Sequence, residues 1–183
     1  NKGGVGKTTL STITATMLSV LGFKVLFIDS DSQGNATESF NLSDFGYKIS
    51  EETIVLYDVL KGEAKIEDTI LEISENLSIL PSTILNQNID SSTLLNYEKN
   101  SSKIFSKLIA PVIKNYDYVI IDCAPNLHAM NSSIACASDL CLLVATPHPF
   151  SIASVNQTTT HIEELNESFD LSVKYKILYN LSN

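Results

Sequence analysis

The sequence predicts an α/β fold in which a doubly wound, mostly parallel sheet is flanked by helices. Short, continuous apolar runs alternate along the chain with stretches whose apolar residues recur at helical spacing. Continuous runs are typical of strands that are covered on both faces. Strands that alternate with helices are joined by parallel crossover connections, so this order indicates a doubly wound sheet.

The predicted elements follow one another in a regular order. An apolar helix over residues 10–21 comes first, and a strand at 24–29 follows it. Helical stripes of apolar residues lie at 104–113, where Pro111 should kink or restart the helix, and at 152–169. The remaining strands are predicted at residues 77–80, 118–122, 140–145 and 173–179.

Two regions are less regular. Residues 41–75 are mostly acidic and polar, with weak helical patches at 55–60 and 66–71, and we interpret them as surface excursions. Residues 82–103 are rich in serine and asparagine, which favours either a loop with a short helix on the ligand face or a plain solvated connection. No repeat or long linker divides the chain, so we expect a single domain over residues 1–183.

Composition argues against several classes of protein. The chain has 183 residues, of which 44% are hydrophobic, and this is enough to fill one core. The composition therefore argues against a disordered chain and against a small scaffold held together by disulfides. Its longest apolar run, at residues 140–145, is too short to span a membrane, and its first residues lack a signal-peptide pattern. All 12 basic residues are lysines and the net charge is −9, so the chain by itself is poorly suited to bind a polyanion.

The cysteines give no sign of a metal site or a disulfide. Cys123, Cys136 and Cys141 are odd in number, lie in apolar surroundings and form no C-x-x-C pair. We interpret them as small apolar side chains of a protein in a reducing cytosol.

Residues 1–9 carry the clearest chemical signal. Gly3, Gly4 and Gly6 allow successive backbone N–H groups to turn inward, and they lead into the first predicted helix, whose N-terminus favours an anion. Lys7 is placed to reach terminal phosphates, and the Thr8 hydroxyl is a suitable ligand for Mg²⁺. The segment therefore predicts a phosphate-binding loop.

Three motifs resemble those of the ParA/MinD superfamily of ATPases. Residues 2–9, K-G-G-V-G-K-T-T, resemble its deviant Walker A motif, with Asn1 where the general P-loop pattern has its first glycine. Residues 29–35 resemble the family's D-x-D-P-Q-G-N segment, with Ser32 in the proline position, and residues 116–125 resemble its Walker B strand. The Gln-Gly-Asn ending of the second motif is similar to the ParA/Soj partition branch.

The resemblance implies a P-loop NTPase of the deviant Walker A type, which hydrolyses ATP slowly and is stimulated by a partner. Lys7 would contact the terminal phosphates, and Asp31 would orient the attacking water. Lys2 would reach across a nucleotide-sandwich homodimer to the ATP of the other subunit, a role that matters because a chain without arginine cannot supply an arginine finger. The plain alternatives are an exposed terminal lysine at Lys2 and an ordinary turn residue at Asp31.

The resemblance also implies ATP and Mg²⁺ as cofactors. Mg²⁺ would be held by Thr8 and by Asp122 through its water shell, with Asp29 supporting the metal and the switch segment. Asn180 would hydrogen-bond the adenine ring, although an asparagine after a strand is equally an ordinary turn residue. The other nucleotide-binding residues would be Gly3, Gly4, Val5, Gly6, Lys7, Thr8 and Thr9.

The function that the resemblance implies is plasmid or chromosome partitioning in the bacterial cytoplasm, in association with the nucleoid. An ATP-bound dimer would alternate with an ADP-bound monomer, and a centromere-bound partner would stimulate hydrolysis. Family members have a strand before the loop and continue well past the last predicted strand, so we expect a chain truncated at both ends. Nonspecific DNA would then be bound through regions absent from this chain, and we expect no membrane partner.

Two other classes of protein stay open at this point. A MinD-like, membrane-associated positioning ATPase would need a C-terminal amphipathic helix, and the Gln-Gly-Asn ending argues against this branch. A redox protein like the nitrogenase iron protein shares the fold but needs paired, cluster-ligating cysteines. Cys123 lies directly beside Asp122 and has no partner cysteine at a suitable spacing.

Overall fold

A computed structural model describes residues 4–50, 53–83, 101–125 and 129–180. The chain divides into two compact units, and we describe each by itself. Unit A consists of Thr8–Thr93 and Leu108–Ala124. Unit B consists of Asn1–Lys7, Leu94–Lys107 and Pro125–Asn183. A single domain over residues 1–183 stays a prediction.

Unit A contains a four-stranded sheet in the order β2-β3-β1-β4. Strand β1 pairs in parallel with both β3 and β4, and the register places Asp29 opposite Asp122. Strand β2 pairs antiparallel with β3 at the edge of the sheet, and an irregularity interrupts that pairing. The strand bounds are Val25–Asp29 for β1, Leu71–Ser74 for β2, Leu77–Leu80 for β3 and Tyr118–Asp122 for β4.

The helices of unit A surround a small apolar core. Every residue of β1 is buried, and Phe27 packs edge-on against Phe40 with ring centroids 5.0 Å apart. Ala15, on the first helix, belongs to the same buried cluster. The helices are α1 at Lys7–Val20, α2 at Asn35–Ser39 and α3 at Leu56–Lys61, with 3₁₀ turns at Leu42–Phe45, Ile66–Asp68 and Ile113–Asn115.

Unit B pairs two parallel strands, and its long helix packs against one of them. Residue partners run from Leu140 with Lys174 to Ala145 with Tyr179. The long helix has Pro149 at its first turn, where a missing N–H costs nothing, and the preceding His148 caps it. Its elements are α5 at Ala129–Cys136, β5 at Leu140–Ala145, α6 at Pro149–Phe169 and β6 at Lys174–Tyr179. Helix α4, at Ser101–Ile109, begins in unit B and ends in unit A.

The structure confirms the mostly parallel α/β class and all five predicted strands. Helix α4 ends at Ile109 and a 3₁₀ turn begins at Ile113, as Pro111 predicts. The prediction of a helical patch at 66–71 is wrong at its end, because β2 begins at Leu71. Helix α5 was not predicted. Most of the segment expected at 82–103 lies outside the described residues. No helix in the described ranges is long and apolar enough to cross a membrane.

Candidate active site

The glycine loop leads directly into α1. Gly4 and Gly6 have φ angles of +103° and +88°, in the left-handed region that residues with a Cβ rarely adopt. Helix α1 begins at Lys7, which is half-buried. The unpaired backbone N–H groups of its first turn therefore come directly after the loop in the sequence. The predicted site residues Lys2 and Gly3 lie outside the described part of the chain.

Asn180 anchors the loop within unit B. Its backbone N–H donates to the carbonyl of Ala145 at 2.7 Å, which fixes the end of β6 beside the end of β5. Its side-chain Nδ2 donates to the carbonyl of Val5 at 3.0 Å. A Cβ added to Gly6 would lie 2.5 Å from the same Nδ2. The amide therefore holds the loop closely, and adenine recognition by Asn180 stays a prediction.

Thr8 and Asp122 meet in unit A, although 114 positions separate them in the sequence. The Thr8 hydroxyl donates to Asp122 Oδ2 at 2.7 Å, and the Ser11 hydroxyl lies 3.1 Å from Oδ1. Asp122 is only 3% exposed. Ser11 was missed at the sequence level, and the available signal is that it lies one helical turn after Thr8, on the same face of α1.

Asp29 is buried at the end of β1 and is held by neutral donors. Oδ2 accepts hydrogen bonds from the backbone N–H and the hydroxyl of Thr37, both at 2.8 Å, and Oδ1 accepts from the backbone N–H of Asp31 at 3.1 Å. Burial raises the pKa of Asp29 to about 6; these hydrogen bonds lower it, and the charge of Asp122 raises it. Thr37 is a second residue that the sequence analysis missed.

Asp31 closes a tight turn between β1 and α2. Its Oδ1 accepts from the backbone N–H of Gln33, and its carbonyl accepts from the N–H of Gly34, each at 3.0 Å. The preceding Ser30 is tied to the end of β4, because its N–H and hydroxyl both donate to the carbonyl of Asp122, at 2.9 and 2.7 Å. The turn therefore has a defined conformation, which fits both a turn residue and a positioned carboxylate.

The oxygen ligands at this end of the sheet suit Mg²⁺. In the described ranges, no three histidine, cysteine or acidic side chains form a metal-binding group. Mg²⁺ rarely needs one, because it keeps several waters and binds through one or two carboxylates together with substrate phosphates. The Thr8 hydroxyl and the Asp122 carboxylate supply such oxygens. Both oxygens of Asp29 already accept hydrogen bonds, which fits a supporting position better than a direct ligand.

Comparisons with known proteins show which family the chain belongs to. A family model described as an AAA domain matches residues 1–175. The sporulation initiation inhibitor protein Soj of Bacillus subtilis is 29% identical over 180 residues, which cover 97% of this chain and 68% of Soj. The solved structure of a plasmid partition protein from Borrelia burgdorferi has a TM-score of 0.79 and 27% identity, over 96% of this chain and 74% of that one.

A further structural neighbour shows the shared fold at lower identity. The ATP complex of a Cyanothece McdA variant has a TM-score of 0.84 at 22% identity, and it covers 97% of this chain and 66% of McdA. These similarities confirm the doubly wound α/β fold. The family match extends over nearly the whole chain, and the three motifs described above lie within it. The chain belongs to the AAA domain family and, within it, to the ParA/Soj type of P-loop ATPases of the ParA/MinD superfamily.

Proposed function

We propose that the protein is a Mg²⁺-dependent ATPase whose alternation between an ATP-bound dimer and an ADP-bound monomer drives the partitioning of a plasmid or chromosome. The observation that supports it best is the 2.7 Å hydrogen bond from the Thr8 hydroxyl to Asp122 Oδ2. It joins the residue after Lys7 to the carboxyl end of β4, and phosphoryl transfer needs metal-binding oxygens beside the phosphate loop.

The chain's own residues would divide the work between binding and positioning. Loop residues from Gly3 to Thr9 would bind the phosphates through backbone N–H groups, and Lys7 would add a positive charge. Thr8 and Asp122 would hold Mg²⁺, which neutralises charge on the phosphates when it is bound. Asp31 would orient the attacking water from its turn. Lys2 would supply a second cation to the nucleotide of the other subunit.

The partners of this cycle follow from the family and are part of the proposal. We propose an ATP-dependent homodimer, a centromere-bound protein that stimulates slow hydrolysis, and nonspecific DNA. The net charge of −9 opposes contact with DNA by these residues alone. DNA binding would therefore need basic residues other than those of this chain. The site of action would be the bacterial cytoplasm, at the nucleoid.

Two substitutions test the ATPase itself. Lys7→Ala should abolish binding of a fluorescent ATP analogue, because the loop then lacks its cation. Asp31→Ala should leave that binding intact and lower phosphate release, because a water-orienting group acts in the transition state and adds little to ground-state affinity. Lys24→Ala and Asp44→Ala are matched controls. Lys24 is exposed just before β1, and Asp44 is exposed in a 3₁₀ turn.

The two results separate the parts of the proposal. Undiminished affinity in Lys7→Ala would remove the phosphate-loop assignment altogether. Loss of ATP binding in parallel with turnover in Asp31→Ala would assign Asp31 to the metal or the nucleotide and not to the water. Both control variants should bind and hydrolyse ATP as the wild type does.

A further inference from the structure

Thr37 lies at the centre of a hydrogen-bond network at the end of β1. It belongs to α2, and it is only 3% exposed. Its backbone N–H and its hydroxyl both donate to Asp29 Oδ2, each at 2.8 Å. The same hydroxyl accepts from the backbone N–H of Ser82 at 2.9 Å. One side chain thus joins β1, α2 and the segment that follows β3.

Asp29 passes this constraint on to Asp31. While Thr37 occupies Oδ2, the other oxygen of Asp29 accepts from the backbone N–H of Asp31 at 3.1 Å. Asp31 Oδ1 accepts in turn from the N–H of Gln33 at 3.0 Å. A carboxylate whose two oxygens both accept hydrogen bonds keeps one orientation. The donors at Oδ2 of Asp29 therefore also fix Oδ1, and with it the backbone N–H of Asp31 that donates to Oδ1.

Close packing keeps Thr37 within reach of Ser82. Gly34, the residue before α2, is buried and has a φ angle of +67°. A Cβ at Gly34 would lie 3.1 Å from the carbonyl oxygen of Ser82 and 3.3 Å from Thr83 Cα. The start of α2 and residues 82–83 therefore approach each other as closely as a glycine allows. The hydroxyl of Thr37 links two segments that are already in contact.

We propose that Thr37 is a positioning residue for ATP hydrolysis, which fixes Asp29 and, through Asp29, the backbone of Asp31. The inference rests on the proposed ATPase function, in which Asp31 orients the attacking water. The side-chain hydrogen bonds of Thr37 in the described structure go to Asp29 and Ser82. Loss of the hydroxyl should therefore reduce turnover and leave nucleotide binding unchanged.

The test compares variants that differ in one hydroxyl. Thr37→Val keeps the shape of the side chain, removes the hydroxyl, and should lower kcat by about 10- to 100-fold, the usual effect of losing a group that orients a functional side chain. Thr37→Ser restores the hydroxyl and should restore kcat. Thr69→Val is the matched control: Thr69 is 1% exposed in the same unit, and its hydroxyl donates to the carbonyl of Ile66 at 2.7 Å. The affinity for a fluorescent ATP analogue should be unchanged in all three variants.

A second measurement follows the network directly. In Thr37→Val, the backbone amides of Ser82 and Asp31 should exchange with deuterium faster than in the wild type, because the first loses its acceptor and the second its fixed carboxylate. Thr37→Ser and Thr69→Val should protect both amides as the wild type does. Should Thr37→Val fail to fold, Thr37→Ala removes the same hydroxyl from the helix and carries the same expectations.

Three results would overturn the inference. The first is a kcat for Thr37→Val that equals the kcat of Thr69→Val. The second is a reduced kcat in Thr37→Val that Thr37→Ser does not restore. The third is a loss of ATP affinity in Thr37→Val that parallels its loss of kcat. The proposed function has its own separate test, because Asp31→Ala must lower hydrolysis whatever Thr37 does. Full hydrolysis in Asp31→Ala would therefore reject the role of Asp31, whereas full hydrolysis in Thr37→Val alone would reject only the role of Thr37.

Discussion

Replacement of Asp29 by asparagine should change how the stability of the protein depends on pH. Asp29 is fully buried at the end of β1, and burial raises the pKa of its carboxyl group to about 6. When the pKa of an acid is higher in the folded protein than in the unfolded chain, the acid contributes stability that is fully present at pH values below its unfolded pKa. That contribution is lost as the pH rises through the folded pKa. The window for Asp29 therefore extends from about 4 to about 6.

The size of the effect follows from the two pKa values. The folded value of about 6 and the ordinary value of 3.8 differ by about 2 pH units. This difference corresponds to about 3 kcal/mol of unfolding free energy, of which about 2 kcal/mol falls between about pH 4.5 and about pH 7.5. Asparagine cannot ionise, so the free energy of unfolding of the wild type should fall by that amount relative to Asp29→Asn as the pH rises.

The assay is urea unfolding of both proteins at a series of pH values across this interval. Nucleotide is omitted and a chelator is added, because a cation beside Asp29 would lower its pKa. Asp44→Asn is the control, since Asp44 is exposed in a 3₁₀ turn, and it should follow the wild type. Unfolding free energies of wild type and Asp29→Asn that run parallel with pH would refute the reasoning, because the carboxyl group would then not be desolvated.

Three further predictions concern the loop, the dimer and the metal. Gly6→Ala should weaken binding of a fluorescent ATP analogue, because a Cβ there would lie 2.5 Å from the side-chain amide of Asn180. Gly22→Ala is the control: Gly22 has a similar φ angle but open space around it, so this variant should bind the analogue as the wild type does. Lys2→Ala should keep ATP binding by one chain but reduce dimerisation in light scattering, and hydrolysis by about 10³-fold or more. Ser11→Ala should raise the Mg²⁺ concentration for half-maximal ATP binding by about 10-fold, because its hydroxyl lies 3.1 Å from Oδ1 of Asp122, the proposed Mg²⁺ ligand.

Strand β1 could be predicted from the sequence because burial on both faces leaves a continuous apolar run. Residues 25–28 form such a run, and all of them are buried. Strand β2 could not be predicted in this way, because Leu71–Ser74 alternates between half-buried and exposed positions inside an acidic segment. It pairs with β3 at the edge of the sheet, and four alternating residues are too few to distinguish a strand from the helical patch predicted at 66–71.

The site could be predicted as far as its motifs extend. Thr8 and Asp122 each lie in a recognisable pattern, and the structure brings them within 2.7 Å. Ser11 and Thr37 lie outside the motifs, and serine and threonine in helices usually bond to the carbonyl one turn before them. What distinguishes these two is a carboxylate within reach, and for Ser11 that carboxylate is 111 positions away in the sequence.

The hydroxyl groups at this site explain how a chain without arginine can orient buried carboxylates. A lysine or arginine beside Asp29 would fix its position and also cancel most of its charge. Thr37 fixes the position through two neutral donors, and Asp31 adds a third, so the charge of an ionised Asp29 is kept in place without being neutralised. Burial nevertheless raises the pKa of Asp29, although these hydrogen bonds lower it. Because β1 and β4 end side by side, the charges of Asp29 and Asp122 add to a negative potential there, and such a potential favours a divalent cation.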